Sequence, residues 1–346
     1  MRGVGVTIGA LLGDLVALVV AVVLVGIAYQ AIGSARDNRR FPPPGQMVDV
    51  GGYCLHIHSM GEGSPTVVLE SALGGSSLSW ALVRSDVAKF TCACSYDRAG
   101  LGWSDADPMP RTAQRIVNEL HTLLTNARTK GPYVLVGHSF GGLAVRLYAA
   151  QYPEEVVGMV LVDPTHPSQW LQMTEEQRKR LETGARLSRR GEILARLGIA
   201  RLTAFLVSAG ALGIARFSVS LVSGGALNQA VEHILAPVKK LPSELWPILK
   251  AIWVQPKFFD ALASEMECLP ESAAQVAASG AYGDMPLVVL SAGDATTAKT
   301  MEQEAVARLS SNGKIIVVPN SGHWIQLDQP QVVIDAIREV VQSVRR

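Results

Sequence analysis

The 346-residue sequence is poor in cysteine, with only Cys54, Cys92, Cys94 and Cys268. Four thiols so scattered form neither a disulfide framework nor a CxxC metal site. Cys92 and Cys94 share one strand-like run and one face, which assigns them to core packing. No His, Asp or Cys cluster has zinc-ligand spacing. No G-x-G-x-x-G or Walker loop is present. No metal and no cofactor are therefore expected. An excess of one charge is missing too: 31 Lys plus Arg face 30 Asp plus Glu, a net charge of +1. That argues against nucleic acid as the main partner, which calls for a strongly basic domain. No internal repeat is visible.

What is present is apolar. Hydrophobic residues make up 48% and charged residues 18%, enough for a substantial core. The length suits one large domain or a core with an insertion. The positive mean hydropathy of +0.23 has a local source. From Gly5 to Tyr29 the only charge is Asp14, and Leu15–Ala28 has no polar side chain. A helix from about Leu11 to Ala31 would cross the ~30 Å hydrocarbon core of a bilayer. Asp14 then lies one turn from an end, where an acid costs much less than the ~3 kcal/mol of a central one. A cleaved signal peptide has a shorter apolar region of ~7–15 residues and an A-x-A-like site. Gly33-Ser34-Ala35 is a poor match, so a retained single-pass anchor is expected. Arg36, Arg39 and Arg40 after the span, against Arg2 before it, bias the C-terminal side slightly toward the cytoplasm and leave the side unassigned. The prolines in Arg40-Phe41-Pro42-Pro43-Pro44-Gly45 forbid helix and end the linker. Residues 1–40 are thus read as anchor and linker.

From Met47 onward strand-like and helical runs alternate. Met47–Ser59 reads as a hairpin turning at Gly51-Gly52. Thr66–Leu69, Thr91–Tyr96, Tyr133–Val136, Val156–Val162, Leu287–Leu290 and Ile315–Val318 are short continuous apolar runs. Strands covered on both faces have this signature. Helical stripes fill the gaps, with Ile116, Leu120, Leu123 and Leu124 on one face of Thr112–Asn126. This alternation predicts a doubly wound, mostly parallel α/β sheet. From Pro167 to about Met285 no strand is evident. That stretch opens basic (Arg178, Lys179, Arg180, Arg186, Arg189, Arg190) and turns apolar through Ile193–Leu221, with Arg196, Arg201 and Arg216 spaced along it. It reads as a helical cap over the C-terminal ends of the strands, where open α/β sheets bind ligands. The core is then 41–166 with 285–346, and the cap 167–284.

Gly137-His138-Ser139-Phe140-Gly141 fits G-x-S-x-G, follows the strand YVLV and opens the helical run Gly142–Tyr152, which Pro153 closes. So sharp a strand-to-helix turn strains the backbone at Ser139, and glycines on either side avoid collisions. It raises the hydroxyl above the sheet edge, at a helix N-terminus that favours developing negative charge. A serine hydroxyl needs a base. His323, in Asn320-Ser321-Gly322-His323-Trp324, follows the final strand and so sits on the same edge. His56, His58, His121 and His233 read as surface or packing residues, His138 points elsewhere on the elbow, and His166 is the one rival. The chain order nucleophile, acid, base favours His323. Two acids compete to hold its imidazole. Asp163 ends the run VVGMVLV, and Asp294 follows LVVL in Ser291-Ala292-Gly293-Asp294.

With these residues the sequence resembles the α/β-hydrolase superfamily over roughly Met47–Asp163 and Met285–Arg346. Tyr96–Asp105 is similar to the D-x-R-G-x-G-x-S loop of that family, and Val67–Trp80 stands where its oxyanion loop stands. The resemblance implies an oxyanion hole formed by the main-chain N–H groups of Leu73 and Phe140. Two departures stand out. Ser71-Ala72, preceded by Glu70, replaces the family's His-Gly, and the G-x-x-D loop shortens to Gly293-Asp294. The family's more frequent acid position corresponds to Asp294, whereas Asp163-Pro164 matches members that use the preceding strand; the match tips toward Asp163 without closing the question. A serine at the elbow speaks against epoxide opening and halide displacement, which place Asp there.

The chemistry expected is cleavage of a carboxylic ester through an acyl-enzyme, with thioester, amide or C–C bond cleavage and cofactor-free perhydrolysis as the alternatives on the same serine. A hydrophobic, lipid-like ester is the expected substrate, because the cap joins basic and apolar faces suited to an anionic lipid surface. From a different class, a membrane-tethered binding module on the same fold is the competing expectation; intact Ser139 and His323 count against it.

Overall fold

A computed structural model describes residues 2–209 and 238–345 of the protein, with side chains from residue 11 onward. His233, Arg216 and the rest of 210–237 in the expected cap lie outside the described residues. Eight strands form one sheet: β1 (Gln46–Asp49), β2 (Cys54–Met60), β3 (Thr66–Glu70), β4 (Ala93–Tyr96), β5 (Tyr133–His138), β6 (Val156–Val162), β7 (Leu287–Ala292) and β8 (Gly313–Val318). Their spatial order is β1-β2-β4-β3-β5-β6-β7-β8. β2 pairs antiparallel with β1 and with β4, and every other pair is parallel. This is the α/β-hydrolase architecture expected from the sequence.

The period-2 alternation of a strand explains why the runs are apolar throughout. Leu135, Met159, Leu161, Leu287 and Val289 point to one side. There they meet α3 (Ala113–Asn126) and α4 (Gly141–Gln151) through Ile116, Leu120, Leu143 and Tyr148. Their neighbours Val134, Val136, Val160, Val162, Val288 and Leu290 point to the other side, against α2 (Ala81–Val87) and the last helix (Pro330–Ser343). β8 departs from the expectation of two covered faces. It is an edge strand, and Val317 is 54% exposed. Cys94 is buried as expected, whereas Cys92 is only half-buried.

Among the described residues, the chain between β6 and β7 contains helices and no strand: α5 (Ser168–Leu171), α6 (Glu175–Arg196), α7 (Ile199–Ser208), α8 (Trp246–Trp253), α9 (Pro256–Glu267) and α10 (Leu269–Ala277). α6 opens with a capping box in which the Thr174 side chain accepts from Gln177 N–H. α10 contributes Leu269 and Val276 to the core beside α3 and α4, so it belongs to the body of the sheet layer as much as to a cover.

The N-terminal helix α1 spans Arg2–Arg40, nine residues beyond the end at Ala31 expected from hydropathy. Only the prolines at 42–44 stop it. No loose linker follows the apolar run. Instead, one face of the extension docks on the cap helices. Gln30, 5% exposed, donates through Nε2 to Val254 O at 3.0 Å, and Ser34 Oγ donates to Gln255 Oε1 at 2.9 Å. Arg201 of α7 reaches Asp37 at 2.5 Å and Gln30 Oε1 at 3.1 Å. Gly26 allows the closest approach: a Cβ there would lie 2.2 Å from Leu197 O. A leucine at Gly26 is therefore expected to push α1 off the cap at a cost of about 1–3 kcal/mol. Limited proteolysis in detergent should then cut the cap sooner than in wild type, while α1 itself remains helical.

Candidate active site

The candidate site lies where β3, β5, β6, β7 and β8 end on a common edge. The chain turns from β5 into α4 with Ser139 at φ +53°, the left-handed backbone that the elbow requires. Its glycines are there for space. A Cβ on Gly137 would lie 2.6 Å from Val145 Cγ2, and one on Gly141 2.5 Å from Ser71 O. The turn is held by Ser139 N–H donating to Val162 O at 3.0 Å and Gly142 N–H donating to Ser139 O at 3.0 Å.

His323 follows β8, with its side chain 43% exposed, and its Nδ1 lies 2.5 Å from Oδ2 of the fully buried Asp163. Asp163 also takes the left-handed conformation, at φ +43°, as the chain leaves β6. It accepts from Gln303 Nε2 at 2.8 Å, from Ala292 N–H at 3.3 Å and from the Lys299 ammonium. Burial alone would raise its carboxyl. The hydrogen bond and charge of His323, with Lys299, outweigh that and hold it well below the ordinary aspartate range. A depressed carboxyl contributes stability above the unfolded value of ~3.9, lost as pH falls through the lower folded value. Asp163 accordingly stays ionised wherever the protein is folded and assayed.

Asp294 is not brought to His323. Its side chain is exposed on the turn after β7, and its N–H donates to Ser321 O at 3.3 Å. The Gly293-Asp294 turn lays the carboxylate against the Gly322 backbone instead, where a Cβ on Gly322 would lie 3.3 Å from Asp294 Oδ2, and no hydrogen bond or ion pair joins it to His323 among the described residues. His166 is not brought in either; its Nδ1 meets Ser168 Oγ at 2.7 Å. The Ser139 Oγ to His323 Nε2 hydrogen bond is not formed among the described residues, a contact that in ligand-free sites often tightens only with substrate.

Sequence reasoning missed the supports of this pair. Lys299 and Gln303, four residues apart on the helix Thr297–Ala307, both grip Asp163. The i, i+4 spacing was visible, but their target 136 and 140 residues away was not. His138 does point away from the elbow, as expected, and its destination is informative. Its Nε2 donates to His323 O at 2.8 Å, while its Nδ1 accepts from Gln326 Nε2 at 3.0 Å. Burial, helped by the neighbouring His323, pushes His138 down to about 3, so it is a neutral strut under the His323 loop.

The Leu73 and Phe140 N–H groups take no acceptor among the described residues. The departure at Glu70-Ser71-Ala72 has a structural counterpart. Arg98, from the Tyr96–Asp105 loop, donates to Ser71 O at 2.8 Å and Ala72 O at 2.7 Å, and pairs with buried Glu70. Its Nε donates to Glu265 of α9 at 2.6 Å, and Glu265 Oε2 accepts from Gly74 N–H at 2.8 Å. One buried cation between two buried carboxylates thus braces the loop from the core and from above. Removing a single partner of such a buried cluster costs about 3–5 kcal/mol. Glu265→Ala is expected to lower the urea midpoint accordingly, with Glu265→Gln less affected because it keeps an acceptor.

A model described as the alpha/beta hydrolase family matches residues 54–336. The protein belongs to that family. It is 37% identical over 116 residues to the uncharacterized protein YqjL of Bacillus subtilis, a match covering 33% of this chain and 46% of that one. The chain spans less than half the length of this relative and of a second Bacillus subtilis protein, YbdG. Among solved structures, a thermophilic esterase from Thermogutta terrifontis superposes with a TM-score of 0.59 at 20% identity, covering 87% of this chain and 99% of that one. The epoxide hydrolase CorEH gives 0.62 at 15% identity, covering 86% and 98%. At these identities the likeness is one of fold.

Proposed function

We propose that the protein is a membrane-anchored serine hydrolase that cleaves carboxylic esters through an acyl-enzyme on Ser139. The observation that carries this reading is the His323–Asp163 pair, set on the same sheet edge as a serine in left-handed backbone. In this reading His323 Nε2 takes the Ser139 proton as Oγ attacks the ester carbonyl. Asp163, ionised and held by Lys299 and Gln303, keeps the imidazole in the tautomer that leaves Nε2 free. The Leu73 and Phe140 N–H groups receive the oxyanion, and the α4 dipole adds to them. His323 then protonates the leaving alcohol, and water releases the acyl group by the same route. Residues 41–166 and 285–346 act as the hydrolase core, and 167–284 shape the pocket as its cap.

The anchor is α1, long and apolar enough to cross a membrane, with Leu11–Val25 exposed apart from the half-buried Val23. A hydrophobic ester is the substrate class that fits an enzyme so placed. Hydrolysis of p-nitrophenyl esters from acetate to palmitate by the detergent-solubilised full chain tests the reading. Turnover rising with chain length into the medium or long range is expected. Turnover of acetate alone would contradict the hydrophobic pocket, and no turnover of any ester would favour a tethered binding module.

A further inference from the structure

We infer that the cap helix α7 lies in the membrane interface, held there by its docking on α1, so that the lipid bilayer contacts the cap directly. This rests on reading α1 as the membrane span. The span expected from hydropathy, Leu11–Ala31, is about 31 Å long at ~1.5 Å per residue, enough for the ~30 Å hydrocarbon core, and it keeps Asp14 one turn from its end. Contact with the cap is already made at Gly26, five residues before that end. Gly26 faces Leu197 O, and a Cβ on Gly198, which immediately precedes α7, would lie 2.5 Å from Gly26 O. The start of α7 therefore sits about 7–8 Å inside the end of the span, within the ~5–10 Å that an interfacial helix buries at the headgroup and acyl boundary.

What α7 turns outward suits that place. Ile199, Leu202 and Phe205, at i, i+3 and i+6, are 39%, 48% and 57% exposed, and Ile193 on the preceding helix is 57% exposed. The one charge of α7, Arg201, points into the seam toward Asp37 and Gln30, leaving no charge on the outer face. Ten residues are too few to cross a bilayer, so such a helix lies along the surface. The apolar face is continuous with the exposed run of α1, and this continuity identifies the occupant as lipid.

Part of the basic charge of the cap is paired within the protein. Arg180 pairs with Glu176, Arg196 with Glu192, and Arg189 with Glu267 and Asp260. Arg178, Arg186 and Arg190 form no ion pair among the described residues, so anionic lipid can add to the contact, but the apolar face alone should keep it in zwitterionic phosphatidylcholine.

The test uses the full chain in phosphatidylcholine nanodiscs, with spin labels introduced one at a time at Val20, Phe205 and Lys179 after Cys54 and Cys92 are replaced by serine. Accessibility to oxygen and to a water-soluble nickel chelate is read at each. The inference predicts that Phe205 behaves like Val20, reached by oxygen and shielded from nickel, while Lys179 is reached by nickel. Phe205 behaving like Lys179 while Val20 stays in lipid would overturn the inference and leave the span intact. Shielding of Phe205 from both reagents would overturn it in favour of a covering protein surface, such as a second copy. Nickel access at Val20 would remove the span and the inference with it.

Discussion

Ser139→Ala is expected to lower kcat for ester hydrolysis by roughly 10⁵–10⁶ while leaving the protein folded. The size follows from the mechanism: without the hydroxyl there is no acyl-enzyme, and the pocket and oxyanion donors alone supply little. The fold should tolerate the change because Ser139 Oγ takes no part in the bonds that hold the elbow; these run through its backbone N–H and C=O. Serine and alanine both carry a Cβ, so the strain of φ +53° is unchanged and any loss of stability is expected to be small. Circular dichroism and the thermal midpoint would separate that loss from the loss of turnover. Residual activity above about a hundredth of wild type would remove Ser139 as nucleophile.

The second large effect distinguishes the two acids. Asp163→Asn is expected to lower kcat by about 10⁴, the size seen when a triad loses its charge but keeps its shape. The asparagine can still accept from Gln303 or Ala292 N–H, but it no longer fixes the imidazole tautomer or stabilises the imidazolium. Asp294→Asn should change kcat less than about twofold, because Asp294 is exposed and its carboxylate is not bonded to His323. The reverse pattern would make Asp294 the acid. Both variants should be assayed over a pH range, since Asp163 is ionised throughout and contributes no limb of its own to the profile.

Most of the fold was legible because each sheet strand carries its signature locally. Val156–Val162 is apolar on both faces since α3, α4 and the last helix lie on either side of it. The elbow was legible for the same reason: strand, turn glycines and helix are contiguous. The choice between Asp163 and Asp294 was not contiguous information. Both end a strand on the correct edge, and only the path of two short turns decides which carboxylate reaches a histidine that in Asp163's case is 160 residues away. The supports from Lys299, His138 and Glu265 are invisible for the same reason. α1 shows a different limit. Hydropathy marks the apolar part of a helix, and it placed the end near Ala31. The residues that dock, Gly26, Gln30, Ser34 and Asp37, are small or polar at helical spacing, a pattern that hydropathy discards.

The most direct test of the central claim treats the detergent-solubilised full chain with a fluorophosphonate probe and locates the adduct by peptide mass spectrometry. Such a probe reacts with a serine made nucleophilic by an adjacent base. The account predicts one adduct on Ser139, absent after His323→Ala and strongly slowed in Asp163→Asn. A folded wild-type protein that takes no label, or that takes it on another serine, would contradict it.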